Sequence, residues 1–352
     1  MTARFRHALI TGISGQDGAW LAARLLAAGV RVSGTHRPAR LDPWRLDELG
    51  IAGHQRLHLH ALDLLDADAC HRLLAETGTD AIFHLAGQSS VAESLDDPLG
   101  TIAANGLSSL NLLEAMRHET PTAHAVIASS AQMFATCTST PCDESTPLVP
   151  DHPYGLSKLM AHRAVGSWRA TFDLAASSAI LFNHESELRG ETFVTRKISR
   201  AVARIALGRA QSVRLGNLDA QRDFGYAPDY VDAMIRLVQR VEPGDFVLAT
   251  GFATSIREFA TCAFAAVDIA LDWQGTGCDE VGIERGGNSV RVCADPALRR
   301  AHDRDLLIGD AGKARRELDL VASVDVAGIA QRMVLADVAR ERGEPPLQRP
   351  AV

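Results

Sequence analysis

Within "PYGLSKLMAHRAV", Tyr154 and Lys158 are four residues apart, so on a helix they share one face. A lysine cation beside a phenol favours the phenolate. A phenolate can take the proton of an alcohol while the carbinol carbon gives hydride to a nicotinamide. Lys158 is also placed to hold the nicotinamide ribose. Alone, the two could be an exposed helix couple. Ser130 adds weight, because it ends the apolar run "HAVIASS" and its hydroxyl could hold the same oxygen. Ser129 and Ser130 could instead merely terminate that strand. Two residues further on stands Gln132, whose amide has donors and an acceptor but no basicity at neutral pH.

The elements that must position these groups are legible as an alternation. "HALITG" reads as a buried strand and 17–28 as an amphipathic helix ending at Gly29. "VRVSGT", "DAIFHLA", "HAVIASS" and "SSAILF" read as further strands, with helices near 66–77 and 101–117 between them. Short apolar strands alternating with helices imply βαβ units, a parallel sheet, and a ligand crevice along one strand-end edge. The second half is less regular. "FVTRKISRAVARIALG" predicts a helix closed by Gly208, a second helix starts at about Tyr230, and "FVLATG" reads as a strand returning to the sheet. These features predict interlocked lobes, one over 1–182 rejoined near 225–252, the other mainly 183–352.

"TGISGQDG" joins the first strand to the first helix, with Gly12, Gly15 and Gly18 in GxxGxxG spacing. Such glycines let backbone N–H groups approach a pyrophosphate at the helix N-terminus. The candidate cofactor set is completed by Gln16 and Asp17 in that turn and by Leu64 and Asp63 in "ALDLLD". Asp63 is placed to accept from an adenine amino group. A site for NAD usually ends the second strand with an acid. Here it ends Gly34-Thr35-His36-Arg37. Arg37, with Arg40, favours a 2′-phosphate and hence NADP(H), with NAD(H) the other candidate; a solvated loop arginine is the plainer alternative.

The chain has 352 residues, 46% of them hydrophobic, enough for one large domain or two interlocked ones. A net charge of -7 without a basic block points to neither nucleic acid nor a membrane surface. The six cysteines form no CxxC pair, and no metal is expected. The first strand begins within a few residues of Met1, leaving no room for a signal peptide, and no run is apolar enough to span a bilayer. A cytoplasmic protein with reduced thiols is expected.

With these motifs the chain resembles an extended short-chain dehydrogenase/reductase. "HALITGISGQDGAWLAARLL", "FNHESELRGETFVTRKISRAVARIALG", "LGNLDAQRDFGYAPDYVDAM" and "DFVLATG" narrow the resemblance to the GDP-mannose 4,6-dehydratase family, over nearly the whole chain. The resemblance implies an α/β fold, a Rossmann-like doubly wound parallel sheet with a smaller, interlocked C-terminal substrate-binding lobe. It also implies a homo-oligomer, dimer or tetramer, that binds NADP(H) and a GDP-linked sugar. By carry-over, Asn183 and Arg189 lie near the sugar and diphosphate. Phe193, Val194 and Lys197 line the nucleotide pocket, and Arg222 and Arg300 hold the diphosphate or ribose. Ser90 completes the substrate set. The arginines suit this physically, since a guanidinium forks onto phosphate oxygens. From the residues alone, Arg222-Asp223 could be a surface ion pair, and His184 is as readily structural as functional.

One departure matters. The family has Thr-Ser-Glu before an apolar residue and a tyrosine; here the stretch reads Ser130-Ala131-Gln132-Met133-Phe134. The family's dehydration oxidises C4, removes the C5 proton with a base, expels water from C6 and returns hydride there. Oxidation needs Ser130, Tyr154, Lys158 and the cofactor. Elimination needs a base, and an amide is not one. The expectation is C4 oxidation of a GDP-mannose-like hexose or heptose without water loss, by a 4-epimerase or a C4 oxidoreductase. The alternatives are a dehydratase whose base is relocated, with Glu185 or Glu187 as candidates, and a non-catalytic NADP(H)/nucleotide-sugar-binding protein. Retention of Tyr154 and Lys158 disfavours the last.

Overall fold

The computed structural model describes residues 4–38, 41–136, 140–298 and 306–344. Strand β1 (His7–Thr11) is buried throughout and runs into the glycine turn and α1 (Gln16–Ala27). β2 (Arg31–His36), α2 (Trp44–Glu48), β3 (Leu57–Ala61), α3 (Ala67–Thr77) and β4 (Ala81–His84) follow. After α4 (Val91–Asp96) and α5 (Pro98–Ile102), a π-helical turn (Ala103–Leu107) leads into α6 (Ser108–Glu119). β5 (His124–Ser130), a 3₁₀ turn (Ala131–Phe134), α7 (Pro153–Phe172) and β6 (Ala176–Leu181) close the first half.

The second half crosses between regions. It runs β7 (His184–Glu185), α8 (Val194–Ala206), β8 (Val213–Leu215), β9 (Gln221–Arg222), β10 (Gly225–Tyr226), α9 (Ala227–Val238) and β11 (Asp245–Leu248). Then come β12 (Thr254–Ser255), α10 (Ile256–Ala265), β13 (Leu271–Gln274), β14 (Val281–Glu284), β15 (Val290–Ala294), β16 (Leu306–Leu307), α11 (Gly312–Leu318) and α12 (Val326–Arg342).

The central sheet has the order β11-β6-β5-β4-β1-β2-β3, and every pairing in it is parallel. Alternate residues of β1 serve opposite faces. Ala8 and Ile10 join a cluster with Leu21 of α1, Met234 of α9 and Ala314 of α11, whereas Leu9 joins Leu74 of α3, Leu112 of α6 and Val165 of α7. That is why the strand is apolar without alternation. A third cluster, around Ile198, Val202, Phe259 and Met333, holds α8, α10 and α12 together. Strand order reverses between β1 and β4, so the crevice at their carboxyl ends is where a doubly wound sheet takes its ligand.

Two expectations need correction. The helix expected over 101–117 is interrupted, because the π-helical turn brings Asn105 inward, where its amide is fully bonded. The helix expected from Tyr230 starts three residues earlier, at Ala227, where Pro228 suits a first turn.

Candidate active site

The glycine turn is shaped for close backbone approach. Gly12 has φ +73°, and a Cβ there would lie 2.8 Å from Ala86 Cα. A Cβ on Gly18 would lie 2.5 Å from Gly12 O, so the helix packs on its own turn only without one. Gly15 caps α1 without a side-chain hydrogen bond, which leaves first-turn N–H groups for a ligand's phosphates. These features fit a dinucleotide pyrophosphate.

Beside this turn, the ends of β5 and α7 bring the chemistry together. Tyr154 and Lys158 are both buried on one face of α7. Burial raises the phenol's pKa, while a hydrogen bond with Ser130 and the Arg189 charge oppose that rise. Lys158 donates to Ala128 O at 2.9 Å, and burial pushes it down to about 8. Arg189 is thus one charge acting on the phenol, and Lys158, four residues on along the same helix, is bonded to the Ala128 carbonyl. Asn105 ties the site together. It donates to Ser157 Oγ (2.8 Å) and Gln88 O (3.0 Å), and its Oδ1 accepts from Gln88 N (2.9 Å). Sequence reasoning missed it; the signal was an amide beside Gly106 inside a largely apolar helical stretch. His84, at the end of β4, contacts Thr11 Oγ1 and Ser109 Oγ, and burial with the nearby Lys158 charge holds it down to about 3.

Gln132 lies in the 3₁₀ turn directly after Ser130, and its backbone N–H donates to Ser130 Oγ at 3.2 Å. Its Oε1 is 3.1 Å from His152 Nε2. His152 is buried, caps α7 by accepting Gly155 N–H on Nδ1 (3.0 Å), and stacks near-parallel to the Tyr154 ring at 6.2 Å. A Cβ on Gly155 would lie 2.7 Å from Gln132 O, so the start of α7 rests directly on this turn.

The 183–193 loop forms another wall. Gln16 donates to His184 O, and Ser186 Oγ donates to Gln16 Oε1. His184 Nε2 meets Asp17 Oδ2 at 2.9 Å, and its ring stacks on Tyr230 at 4.8 Å. Gln16 and Asp17, the residues expected on the cofactor, bond this loop in the structure, and His184 is held between Asp17 and the Tyr230 ring. Burial works against both charges, but their mutual attraction outweighs it, so Asp17 is held low and His184 is raised. The histidine's contribution is full below its ordinary 6.5 and is lost as pH rises through its raised native value. The aspartate's is lost at the acid end, as pH falls through its depressed value. Asp17→Asn is expected to cost about 3 kcal/mol near pH 6, with the cost shrinking toward about pH 9. Urea unfolding of both proteins at the two pH values checks this.

Arg189 pairs with Glu185 at 3.0 Å and lies over the Phe193 ring at 3.6 Å. Glu185 also accepts from Thr195 Oγ1. Glu187 accepts from Tyr226 OH at 3.2 Å and lies 3.9 Å from Arg332. Asn183 is half-buried, and its carbonyl accepts from Gly225 N–H. Val194 opens α8 half-buried, and Lys197 is exposed on that helix. Arg222 is half-buried, but Asp223 is wholly buried and bonded to Thr250, Gly251 and Gly309, so a surface ion pair is not what that dipeptide forms. Ser90 caps α4 by accepting Glu93 N–H. Arg37 is exposed just past β2, with no carboxylate partner among the described residues. Asp63 is exposed and accepts Leu65 N–H; the carbonyl of half-buried Leu64 accepts from Asn111. Arg40 and Arg300 lie outside the described residues. Among the described residues no acid, histidine or cysteine cluster suits a metal, and no helix is long and apolar enough to cross a membrane.

A seven-stranded parallel sheet, a glycine turn at its switch point and a Ser-Tyr-Lys set at one strand edge define an extended short-chain dehydrogenase/reductase of the nucleotide-sugar epimerase/dehydratase type. The family profile for GDP-mannose 4,6 dehydratase matches residues 9–333. A GDP-mannose 4,6-dehydratase of Sinorhizobium fredii is 40% identical over 345 residues, covering 96% of this chain and 97% of that one. The chain therefore belongs to the GDP-mannose 4,6-dehydratase family. Among solved structures it superposes on RMD from Pseudomonas aeruginosa complexed with NADPH (TM-score 0.75, 24% identity, 95% and 99% of the two chains). It also superposes on a UDP-glucose-4-epimerase from Stenotrophomonas maltophila with bound NAD and formylated UDP-arabinopyranose (TM-score 0.80, 23% identity, 96% and 99%).

Proposed function

We propose that this protein oxidises C4 of a GDP-linked, mannose-like hexose or heptose, with NADP(H), and leaves the C6 oxygen in place. Ser130 holds O4 by hydrogen bond. Tyr154 takes the O4 proton, helped by the Arg189 charge. Lys158 and the Asn105-bonded 87–88 loop fix the start of α7. A nicotinamide dinucleotide held at the Gly12–Gly18 turn would supply the acceptor for the C4 hydride; its return to the opposite face would make a 4-epimerase, whereas its loss to an external oxidant would make a C4 oxidoreductase. The absence of an acid at the end of β2, with Arg37 just beyond, supports NADP(H). That proteins of this fold are solved with NADPH and with NAD supports a nicotinamide dinucleotide in general.

The observation that carries this reading is Gln132, an amide bonded to His152 in the turn beside Ser130 and Tyr154. The names of the relatives favour the other reading, a 4,6-dehydratase whose base is relocated. Of the candidates for that base, Glu185 is paired with Arg189 and bonded by Thr195, and Glu187 is bonded by Tyr226. Mass spectrometry and proton NMR of the product from GDP-mannose and from a GDP-heptose decide. Unchanged mass with inverted C4 establishes the epimerase, and loss of a hydrogen pair the oxidoreductase. Loss of one water establishes the dehydratase and overturns C4 oxidation with the C6 oxygen retained.

A further inference from the structure

We propose that His152 is a positioning residue that fixes the orientation of the Gln132 amide, so that the Gln132 NH₂ group is presented as a hydrogen-bond donor to a sugar oxygen next to the reacting carbinol. This role deepens the proposed C4 oxidation and rests on it for the identity of the ligand.

The two ring nitrogens have different partners. Gly155 N–H points at His152 Nδ1 at 3.0 Å, so Nδ1 must be the acceptor and carries no hydrogen. The ring hydrogen is therefore on Nε2, which lies 3.1 Å from Gln132 and must donate. A donor there requires the amide oxygen, not the nitrogen, on the histidine side. The amide cannot be flipped without reversing the tautomer, and the tautomer cannot reverse without leaving Gly155 N–H facing another N–H. A helix cap thus fixes which end of Gln132 faces away from His152.

The surroundings make the clamp stiff. The His152 side chain is 2% exposed and stacks beside Tyr154, while Gln132 O rests against Gly155. Asp151 Oδ1, 3.9 Å from Nε2, reinforces the ring hydrogen's place on that atom. No described residue accepts from Gln132 Nε2. With the reacting O4 held by Ser130 and Tyr154 in the proposed oxidation, the amide two residues beyond Ser130 faces the C5–C6 side of the sugar. An NH₂ group recognises an oxygen lone pair, so the ligand is a sugar that keeps its C6 oxygen. A 6-deoxy substrate is discriminated against.

The test combines two arms. Asn at position 152 preserves a helix N-cap but is too short to hold Gln132. In a double-mutant cycle of His152→Asn and Gln132→Ala, His152→Asn is expected to lower kcat/KM about 5- to 10-fold in the native background, the size of one neutral hydrogen bond. In the Gln132→Ala background the loss is expected to fall below about 2-fold. Equal losses in both backgrounds would mean that His152 does not act through Gln132, and would overturn the proposal. The second arm needs no substrate. Side-chain ¹⁵N NMR of the histidine-labelled protein, assigned by difference with His152→Asn, is expected to show the Nε2–H tautomer, with slow exchange of that hydrogen lost in Gln132→Ala. An Nδ1–H tautomer or a doubly protonated ring sinks the clamp. If the wild-type protein turns over no nucleotide sugar, the functional reading fails, while the tautomer still decides the clamp.

Discussion

Tyr154→Phe is expected to lower C4 oxidation by about 10²–10⁴-fold, with folding intact. The phenol is buried, its ring fills a packed position, and phenylalanine keeps every apolar contact. What is lost is the hydroxyl beside Ser130, the group that takes the O4 proton. Cofactor reduction, followed by nicotinamide absorbance in a single turnover with a GDP-sugar, measures the loss. The pH profile gives a second check. Burial raises the phenol, so native oxidation should quicken as pH rises toward its titration, and the variant's residual rate should lack that rise. Unchanged turnover in Tyr154→Phe would remove the phenol from the mechanism, and no cofactor reduction in the native protein would favour one that binds the nucleotide sugar without converting it.

What the sequence disclosed about this site depended on how local the information was. Tyr154 and Lys158 share one helix, and Gly12, Gly15 and Gly18 share one turn, so spacing alone places each group. The parallel strands were equally legible, because β1 must satisfy both faces of the sheet and its central Ala8-Leu9-Ile10 run is apolar without alternation. The contacts that orient the groups are not local. His184 and Asp17 are 167 residues apart, and His152 meets Gln132 across 20 residues. No periodicity encodes either. The π-helical turn at Asn105 was invisible for a related reason: "TIAANGLSSLNLLEAM" has good helical periodicity throughout, and the extra residue is accommodated by side-chain bonds to Gln88 and Ser157. Arg189 and Glu185 stand four apart, yet they pair within a loop rather than on a helix, and it is the neighbouring Phe193 ring that completes the clamp.

Gln132→Glu is expected to raise water loss from the 4-keto sugar by about 10²–10⁴-fold over the native protein, the usual worth of a placed general base. The substitution is nearly isosteric, so the turn after β5 and the rest of α7 against it need not move. One carboxylate oxygen takes the place of Oε1 and accepts from His152 Nε2–H, while the other takes the place of the amide nitrogen. A donor facing the sugar thereby becomes a lone pair in the same position, held by the same histidine. The accepted hydrogen bond steadies the carboxylate and lowers its basicity only modestly, since the His152 donor is neutral. Mass spectrometry of the product from GDP-mannose reads the outcome, and incubation in deuterated water reads it more sensitively: proton abstraction at C5 exchanges that hydrogen even where water is not expelled. Deuterium at C5 without dehydration would place the missing component at C6, in whatever protonates the leaving hydroxyl. Neither exchange nor dehydration, in a variant that still oxidises C4, would mean that position 132 does not face C5 and that the amide is not what separates this chain from its dehydrating relatives.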